Sequence, residues 1–240
     1  MRVRFLSAGD RALVVEFGDR VDRVLSERAL RLDAIIRANA PEGLVETVPT
    51  FRSLMVYYDP LATSRAELEG AIRGLLNCEH THHTERTLWR VPVCYEGECA
   101  PDLAEVARLT RLTTADVVAL HSGTRFHVYM LGFLPGFPYM GDLPTELALP
   151  RRADPRLRVP AGSISIATSL TAIYPYESPG GWHLIGATPI RLFDPERARP
   201  ALLAPGDAVI FDTIGAADFA SIARAVEKGC YAPESTPLAA

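Results

Sequence analysis

The first 80 residues combine short apolar alternations with two segments of helical period. Alternation of apolar and polar positions indicates four strands, at residues 3–6, 12–17, 45–48 and 53–58. Apolar residues recurring every three or four positions predict two amphipathic helices, over residues 21–38 and 64–76. The resulting order ββαββα predicts an α+β N-terminal domain over residues 1–80.

Residues 77–88 (NCEHTHHTERTL) lose this periodicity and become polar, as a linker between compact units does. Three histidines in this linker, His80, His82 and His83, could bind a metal in principle. Because a polar connector fixes no ligand geometry, we interpret them as part of a solvated link and predict no metal site.

The second half begins with a strand and two short helices. Residues 89–95 alternate as a strand does, and helices are predicted to follow Pro101-Asp102 and to run over residues 115–121 before Gly123. His121 falls at the end of the second helix, where the helix dipole favours a protonated imidazole. The pattern further predicts a strand over residues 208–211, a helix over 216–227 and a disordered tail over 231–240.

The segment from residue 126 to residue 194 mixes glycine, proline and small hydroxyls with short apolar alternations. Tight turns are predicted at Pro135-Gly136, at residues 160–162 and at residues 179–181, because proline presets φ and glycine accepts positive φ. Strands are predicted between and after these turns, over residues 163–166, 182–185 and 190–193. The pattern therefore indicates a small β-barrel.

Polar side chains crowd around these turns: Ser163, Ser165, Thr168, Ser169, Thr171, Tyr174, Ser178 and His183. Loops that carry convergent polar groups on a rigid scaffold are where binding sites usually form. We therefore predict a polar pocket in this half of the chain. The alternative is that glycine and proline only shape the barrel.

Composition excludes several classes of partner and fold. The chain has 240 residues, is 48% hydrophobic and carries a net charge of −4, which suits one or two packed domains. No basic stripe appears, so we expect no nucleic acid and no anionic membrane as partner. With neither an apolar leader nor a membrane span in the sequence, we expect a cytoplasmic protein.

The numbers and positions of cysteine and lysine limit the disulfides and nucleotide-binding sites that the chain could form. The four cysteines (Cys78, Cys94, Cys99 and Cys230) are scattered and are expected to be free thiols. Lys228 is the only lysine, and neither GxxxxGK nor GxGxxG occurs. If ATP is used, the residues that hold it are therefore expected to come from partner chains.

No residue is identified as catalytic by its chemistry alone. His183 is the best candidate, because a neutral imidazole donates at one nitrogen and accepts at the other, although a hydrogen-bonded structural histidine is equally consistent. The hydroxyls of Tyr139 and Tyr174 could meet a carboxylate or carbonyl. Four arginines form a loop that suits a small anion, a partner's acidic face or plain solvation: Arg151, Arg152, Arg156 and Arg158. A serine hydrolase is disfavoured, since GxSxG is missing.

Three long runs occur in this order: GFLPGFPYMGDLP, PRRADPRLRVPAGSISIA and IYPYESPGGWHLIGATPIRLFDP. With AGDRALVVEFGDRVD, EGLVETVPTFRSLMVYYDP and VPVCYEGECAPDLAEVARLT before them, they make nearly the whole chain resemble one family. That family contains the B subunit of bacterial 5-oxoprolinase (PxpB), the kinase inhibitor KipI and allophanate-hydrolase subunit 1. The resemblance implies an N-terminal α+β domain followed by a mainly β, cyclophilin-like barrel domain, here over residues 89–230.

The resemblance also implies a function shared with other chains. It favours the B subunit of an ATP-dependent 5-oxoprolinase, a non-autonomous chain that works with a PxpC-like and a PxpA-like partner to open 5-oxoproline to glutamate. His183 is then the catalytic candidate, and the substrate is oriented by Tyr139, Ser163, Thr171, Tyr174 and Ser178 and by the backbone amides of Gly136, Gly162 and Gly181. ATP is the expected cofactor, bound only with the partners.

Two positions depart from the family pattern. Leu170 stands where a glutamine is expected, and Ala187 stands where an arginine is expected in LIGRTP. A pocket built on those two polar groups would lose recognition here. A KipI-like inhibitor of a sensor histidine kinase, or a subunit related to allophanate hydrolase or urea carboxylase, therefore stays open.

Overall fold

The computed structural model describes residues 3–76 and 86–238, and the chain divides between residues 85 and 86 into two compact units. Residues 77–85, with Cys78 and the three histidines of the predicted linker, lie outside the described residues. The remaining linker residues, 86–88, begin a strand instead, because they pair with the strand at the end of the second unit.

The first unit is an antiparallel sheet with two helices, in the order ββαββα that the apolar pattern predicted. Its elements are β1 (Arg4–Ser7), β2 (Ala12–Glu16), α1 (Arg23–Asn39), β3 (Leu44–Pro49), β4 (Ser53–Tyr58) and α2 (Arg65–Leu76). The strands lie in the order β1-β2-β4-β3. Helix α1 begins where the Asp22 carboxylate accepts from the Val24 and Leu25 amides, at 2.9 and 3.3 Å.

One apolar face from each helix closes the core of the first unit. The α1 residues Ala29 and Ile36 and the α2 residue Ile72 are fully buried among the sheet residues Leu13 and Val56. Their spacing of three, four or seven positions is what a helix requires to present one face to a sheet. The hydrophobic pattern therefore accounts for the core of this unit.

The second unit contains ten strands and three helices among the described residues. They are β5 (Arg86–Cys94), α3 (Leu103–Thr110), α4 (Thr114–Ser122), β6 (Phe126–Leu131), β7 (Pro138–Gly141), β8 (Arg156–Val159), β9 (Ser163–Ala167), β10 (Leu170–Ile173), β11 (Ser178–Gly180), β12 (His183–Ala187), β13 (Ala208–Ile214), α5 (Ala216–Glu227) and β14 (Glu234–Leu238). Helix α4 starts at a capping box between Thr113 and Asp116.

Seven of these strands form a closed barrel. They lie in the order β12-β9-β10-β7-β6-β13-β5, and the barrel closes where Ala187 of β12 pairs with Cys94 of β5. Strands β13 and β5 run parallel, and the other neighbouring pairs are antiparallel. The barrel confirms the mainly β second half, whereas the cyclophilin-like label stays a prediction.

The barrel interior is apolar and receives side chains from every barrel strand. Its fully buried residues include Val91, Val93, Val128, Met140, Ile164, Ile166, Ile173, Ile185 and Val209. Val106 of α3 and Val117 of α4 belong to the same core. The alternation of inward and outward residues along β9 and β10 therefore decides which polar side chains face this core.

Two predictions within the glycine-rich segment are wrong. Residues 190–193 form no strand, because their pairing is limited to one isolated bridge, between Phe193 and Ala201. Residues 179–181 do not form a tight turn with positive φ. Ser178–Gly180 instead makes strand β11, which pairs with β8.

The prediction of a disordered tail is also wrong for the residues described. Strand β14 (Glu234–Leu238) pairs antiparallel with the first half of β5, from Arg86 to Arg90. Strand β12 reaches β5 only at Cys94, so this half of the β5 edge is open to another strand. Along the two described ranges, no helix is long and apolar enough to cross a membrane.

Candidate functional site

A second apolar cluster, separate from the barrel interior, is built around four aromatic rings. Phe137 packs edge-on against Tyr174 at 5.1 Å between ring centroids and lies 5.0 Å from Tyr139. Trp182 packs edge-on against Tyr139 at 6.0 Å. Tyr139 lies on β7, and the other three rings border β7, β10 and β12, so the barrel strands bring Tyr139 and Tyr174 into one cluster.

Tyr174 is the most deeply placed of these rings, with only 2% of its surface exposed. A Cβ atom added at Gly180 would lie 2.2 Å from its hydroxyl oxygen, so the ring fits only because residue 180 is glycine. Burial raises the pKa of Tyr174 to about 12, with a smaller contribution from Tyr139, while Arg151 and Arg156 oppose the rise. The phenol therefore stays protonated at neutral pH.

Arg151 and Tyr139 form the exposed side of this cluster. The Arg151 guanidinium lies 5.9 Å from the Trp182 ring centroid, a cation–π contact, and no ion pair within the described ranges includes Arg151. Tyr139 is half-buried, and burial raises the pKa of its phenol although Arg151 lowers it. A cation and a phenol thus share one edge of the cluster.

His183, the first residue of β12, lies against the loop that carries these arginines. Only 5% of its surface is exposed, its Nε2 is 3.0 Å from the Pro150 carbonyl oxygen, and its Nδ1 is buried with no hydrogen-bond partner among the described residues. The Arg152 amide donates to the Gly181 carbonyl at 2.8 Å. Residues 150–152 and 181–183 therefore lie side by side, which places two predicted residues, Gly181 and His183, in one local unit.

A buried carboxylate holds this unit to helix α3. Asp102, 3% exposed, accepts from Arg152 Nη1 at 3.1 Å, from Arg156 Nη1 and Nη2 at 2.8 and 2.5 Å, and from the Leu184 amide at 2.7 Å. Arg152 Nη1 also reaches Glu105 at 3.1 Å, while Arg152 Nε is buried and finds no acceptor in the described part of the chain. With Arg158 paired to Glu177, three of the four predicted anion-binding arginines are therefore engaged within the protein.

Thr171 lies on the other side of the sheet, in the barrel interior. It is fully buried, its hydroxyl donates to the Ser165 carbonyl at 3.0 Å, and the same oxygen is 3.0 Å from Nε2 of His121. Nδ1 of His121 is 2.8 Å from the Tyr95 hydroxyl, and the imidazole stacks on Phe211 at 4.7 Å. Thr171 is therefore separated from the aromatic cluster and occupied by protein groups.

The expectation of a protonated His121 at the end of α4 is wrong. Burial lowers the pKa of this imidazole to about 3, because transfer of its charge into the barrel core outweighs the helix dipole. In the neutral ring one nitrogen donates and the other accepts, which matches its two hydroxyl neighbours.

The remaining predicted residues shape turns. Gly136 and Gly162 have φ of 76° and 81°, which a side chain disfavours, and the Gly162 amide donates to the Tyr174 carbonyl at 2.7 Å. The Ser163 hydroxyl donates to the Pro160 carbonyl at 2.8 Å, and the Ser178 hydroxyl donates to the carbonyl of the next residue at 3.4 Å. These amide and hydroxyl groups support the backbone.

Two cavities, of about 560 and 540 Å³, lie beside α5 rather than beside His183. Val226 and Arg191 border both, and Trp89 and Tyr231 form an aromatic wall of the larger one. Of the predicted site residues, Gly162 lines the second cavity. Neither cavity reaches the aromatic cluster.

Five residues make up what we name the His183 cluster: Tyr139, Arg151, Arg152, Trp182 and His183. It combines an imidazole nitrogen and a guanidinium N–H, both without a partner among the described residues, with a phenol and the Arg151 cation. His183 pairs across the sheet with Ile166 of the barrel interior, so its side chain lies on the opposite face of β12 from Leu184, which belongs to the aromatic cluster. No group of three potential metal ligands occurs within the described part of the chain.

Sequence reasoning missed Asp102, which it assigned to the start of a helix. The residue does occupy the N-cap position of α3, but its side chain makes no capping bond and serves the arginines instead. Its partner Arg156 lies 54 positions away. No local pattern pairs them, so only the folded structure could identify this contact.

The structure shows where Leu170 and Ala187, the two departures from the family pattern, lie. Leu170 packs partly buried on the outer aromatic cluster, and Ala187 occupies the strand pair that closes the barrel. An apolar residue at position 170 therefore extends the apolar surface beside Tyr139 and Tyr174.

Comparison with known proteins identifies relatives for most of the chain. The family model for the carboxyltransferase domain, subdomains C and D, matches residues 3–203. Two curated relatives are named as the B subunit of 5-oxoprolinase. That of Bacillus subtilis is 35% identical over 91% of this chain and 96% of its own length, and that of Escherichia coli O157:H7 is 41% identical over 88% and 95%.

Solved structures show the same fold inside longer chains. The crystal structure of the protein TTHA0988 is 39% identical and superposes with a TM-score of 0.77, covering 85% of this chain. This chain spans only 40% of that protein's length. The urea amidolyase of Kluyveromyces lactis, 20% identical with a TM-score of 0.80, shares the fold over 98% of this chain and 16% of its own.

Proposed function

Since the chain belongs to the carboxyltransferase-domain family of subdomains C and D, together with proteins named as the B subunit of 5-oxoprolinase, we propose that it is the B subunit of an ATP-dependent 5-oxoprolinase. The reaction is the conversion of 5-oxoproline, ATP and water to glutamate, ADP and phosphate. The observation that carries the proposal is the match to these relatives over nearly their full length, at 35% and 41% identity.

The site is proposed to be shared between chains. The His183 cluster offers an imidazole nitrogen, a guanidinium N–H and a phenol, but within the described residues it lies beside neither of the two cavities. A partner surface packed against this cluster would supply the missing walls of a pocket. The relatives' designation as a subunit, and the occurrence of the same fold as part of much longer chains, support such a partner.

This chain lacks two common nucleotide-binding motifs. It carries neither GxxxxGK nor GxGxxG, and its single lysine, Lys228, follows the end of α5. Arg152 and Arg156 are already bonded to Asp102. We therefore propose that PxpC-like and PxpA-like partner chains hold the nucleotide, while this chain orients 5-oxoproline.

Within that shared site, the chain's own groups would bind and orient the amide. Tyr139 can donate its phenol hydrogen, since burial keeps the pKa of that group above its usual value. Arg151 can meet the substrate carboxylate, because its guanidinium has no ion-pair partner within the described ranges. The proposed contribution is thus positioning, with His183 as the candidate general acid or base.

Co-expression with the PxpC-like and PxpA-like chains tests this proposal. We expect the three chains to co-purify and the complex to release glutamate from 5-oxoproline only when ATP is supplied. The purified single chain should show no turnover. Arg151→Gln should raise KM of the complex, whereas Arg158→Gln, an exposed arginine paired with Glu177, should leave it unchanged.

Two results would count against the proposal. ATP-dependent turnover by the single chain would refute the shared site. A stable complex that releases no glutamate under any nucleotide condition would refute the activity itself.

A further inference from the structure

The larger of the two cavities beside α5, which we name the α5 cavity, has the size of a ligand site. Its volume of about 560 Å³ falls within the range of roughly 300–1,000 Å³ that small-molecule sites occupy. Ile190 of its lining belongs to the barrel core. Three further lining residues pack against that core: Trp89, Leu202 and Tyr231. One wall of the α5 cavity is thus an apolar surface of the barrel.

Helix α5 forms another wall, and its apolar face is not packed against the barrel. Phe219, Ala223 and Val226 have the spacing of one helix face; all three line the neighbouring cavity, and Val226 also lines the α5 cavity. No residue of α5, which is described over its full length, is buried. An amphipathic helix normally buries this face, because packing supplies most of its stability. A ligand in the α5 cavity would therefore remove from water an apolar surface that the chain leaves partly exposed.

Trp89 and Tyr231 make this wall aromatic. The indole Nε1 of Trp89 donates to Asp207 at 3.0 Å, so the polar atom of the ring is already satisfied. The part of the indole that lines the cavity then requires no hydrogen bond from a ligand. The wall therefore favours a flat, apolar ligand body.

Two arginines of the lining share a single carboxylate. Arg191 Nη1 and Arg197 Nε lie 3.5 and 3.6 Å from the same oxygen of Asp194, and Arg197 Nη1 donates to the Arg191 carbonyl at 3.3 Å. Both ion-pair distances exceed the about 2.7–2.9 Å of a good charge-assisted hydrogen bond. The two side chains are 56% and 41% exposed. Because a guanidinium carries several N–H groups, both arginines keep donors for an anion.

Backbone hydrogen bonds hold the loop that carries these arginines. The Asp194 amide donates to the Pro200 carbonyl at 2.9 Å, and the Leu202 amide donates to the Leu192 carbonyl at 2.8 Å. A loop that is already held in place loses little freedom when an anion binds. The position of the two guanidinium groups is thus largely set before binding.

The charges of the lining select the charge of the ligand. Its charged side chains are Arg191, Arg197, Asp194 and Glu227, two of each sign. One negative charge beside the arginines is matched, whereas a polyphosphate would also meet two carboxylates.

We propose that the α5 cavity binds a monoanionic organic acid, whose anionic group contacts Arg191 and Arg197 and whose flat, apolar body packs on Trp89. This inference goes beyond the proposed function and does not depend on it. The lining of the α5 cavity shares no residue with the His183 cluster.

A matched pair of fluorescent probes tests this proposal on the purified full-length chain. Anilinonaphthalene sulfonate is a flat aromatic monoanion, and phenylnaphthylamine has the same rings without the sulfonate. The chain has two tryptophans, so Trp89 alone reports in Trp182→Phe. We expect saturable quenching of Trp89 by one sulfonate per chain, with binding about tenfold tighter than that of the neutral amine, as one hydrogen bond to a charged group contributes.

Substitutions separate the contribution of the charge from that of the apolar body. With Arg191→Gln and Arg197→Gln combined, the sulfonate should bind about tenfold more weakly and the amine unchanged. Arg158→Gln is the control, because Arg158 pairs with Glu177 and lies outside the cavity lining; it should change neither affinity. Val226→Phe fills part of the cavity and should weaken both probes. An unchanged melting temperature checks that each variant is folded.

Three results would overturn the proposal. Equal binding of both probes to the wild-type chain, or unchanged sulfonate binding to the double arginine variant, would show that the arginines do not recognise the anion. A lack of Trp89 quenching would show that the probe does not enter the cavity. Displacement of the sulfonate by co-expressed partner chains would assign this surface to a protein contact. None of these results decides whether a complex turns over 5-oxoproline, so the proposed function is tested separately.

Discussion

Replacing Asp102 by asparagine should destabilise the barrel unit, because this buried carboxylate is the common acceptor for two arginines and a backbone amide. It accepts from Arg152 and Arg156 at 2.5–3.1 Å and from Leu184 at 2.7 Å. Asparagine keeps one oxygen, but its NH₂ group faces guanidinium N–H groups and its charge is gone. Arg156 would then lose its counter-charge, and Arg152 would keep only that of Glu105.

The expected loss in the free energy of unfolding follows from the burial of the Asp102 carboxylate. Removing one partner of a fully buried ion pair costs about 3–5 kcal/mol. The Arg152 and Arg156 side chains keep 23% and 26% of their surface exposed, so water screens part of this loss. We expect about 2–3 kcal/mol for Asp102→Asn. For a chain of this length, this corresponds to a fall in melting temperature of about 4–12 °C.

Tryptophan fluorescence is a suitable assay, because both tryptophans, Trp89 and Trp182, lie in the barrel unit. Glu177→Gln is the matched control: it makes the same carboxylate-to-amide change at an exposed partner of an arginine two positions from Arg156. Its unfolding midpoint should not change. Equal midpoints for Asp102→Asn and wild type, or equal losses in both variants, would refute the reasoning.

Two further variants test the barrel. Gly162→Ala should lower the free energy of unfolding by about 3 kcal/mol, because the new Cβ would lie 2.3 Å from the Thr188 carbonyl oxygen and the residue has positive φ. Gly97→Ala is the control: it has positive φ but open space around it, and it should cost about 1 kcal/mol. Equal losses of stability in urea denaturation would contradict the close approach at Gly162. His121 has a pKa of about 3 in the folded state against 6.5 unfolded, so only the unfolded state takes up a proton between these values. Stability should therefore be complete above pH 6.5 and fall by about 1.4 kcal/mol per pH unit below it, and unfolding series from pH 7 to pH 4 should show this slope in wild type but not in His121→Gln.

Helices were predictable because their apolar period is a local property. Helix α5 (Ala216–Glu227) has the bounds that the sequence predicted. The formation of a strand depends on a pairing strand that can be distant in sequence, and a local pattern does not show whether one is present. The alternation over residues 190–193 buries Ile190 and Leu192 without a pairing strand, while the polar run Glu234–Leu238 becomes β14 because the edge of β5 is open beside it.

The candidate site was predictable by residue type but not by arrangement. His183 and Tyr139 were identified from their chemistry, whereas Asp102 and Pro150, which hold the His183 cluster, are distant in sequence. Thr171 was grouped with the pocket because it is polar. It shares the inward face of β10 with Ile173, so the two-residue period of the strand would have indicated its burial.

The hydroxyl of Thr171 and the imidazole of His121 also select one arrangement of the chain among competing compact ones. If β10 slipped by one residue against β9, Thr171 would leave the interior, and His121 would lose one of its two polar partners and keep only the Tyr95 hydroxyl. An all-hydrocarbon interior would penalise that slip only through the exposure of apolar residues such as Ile173. This pair therefore contributes more to the uniqueness of the native state than to its free energy of unfolding.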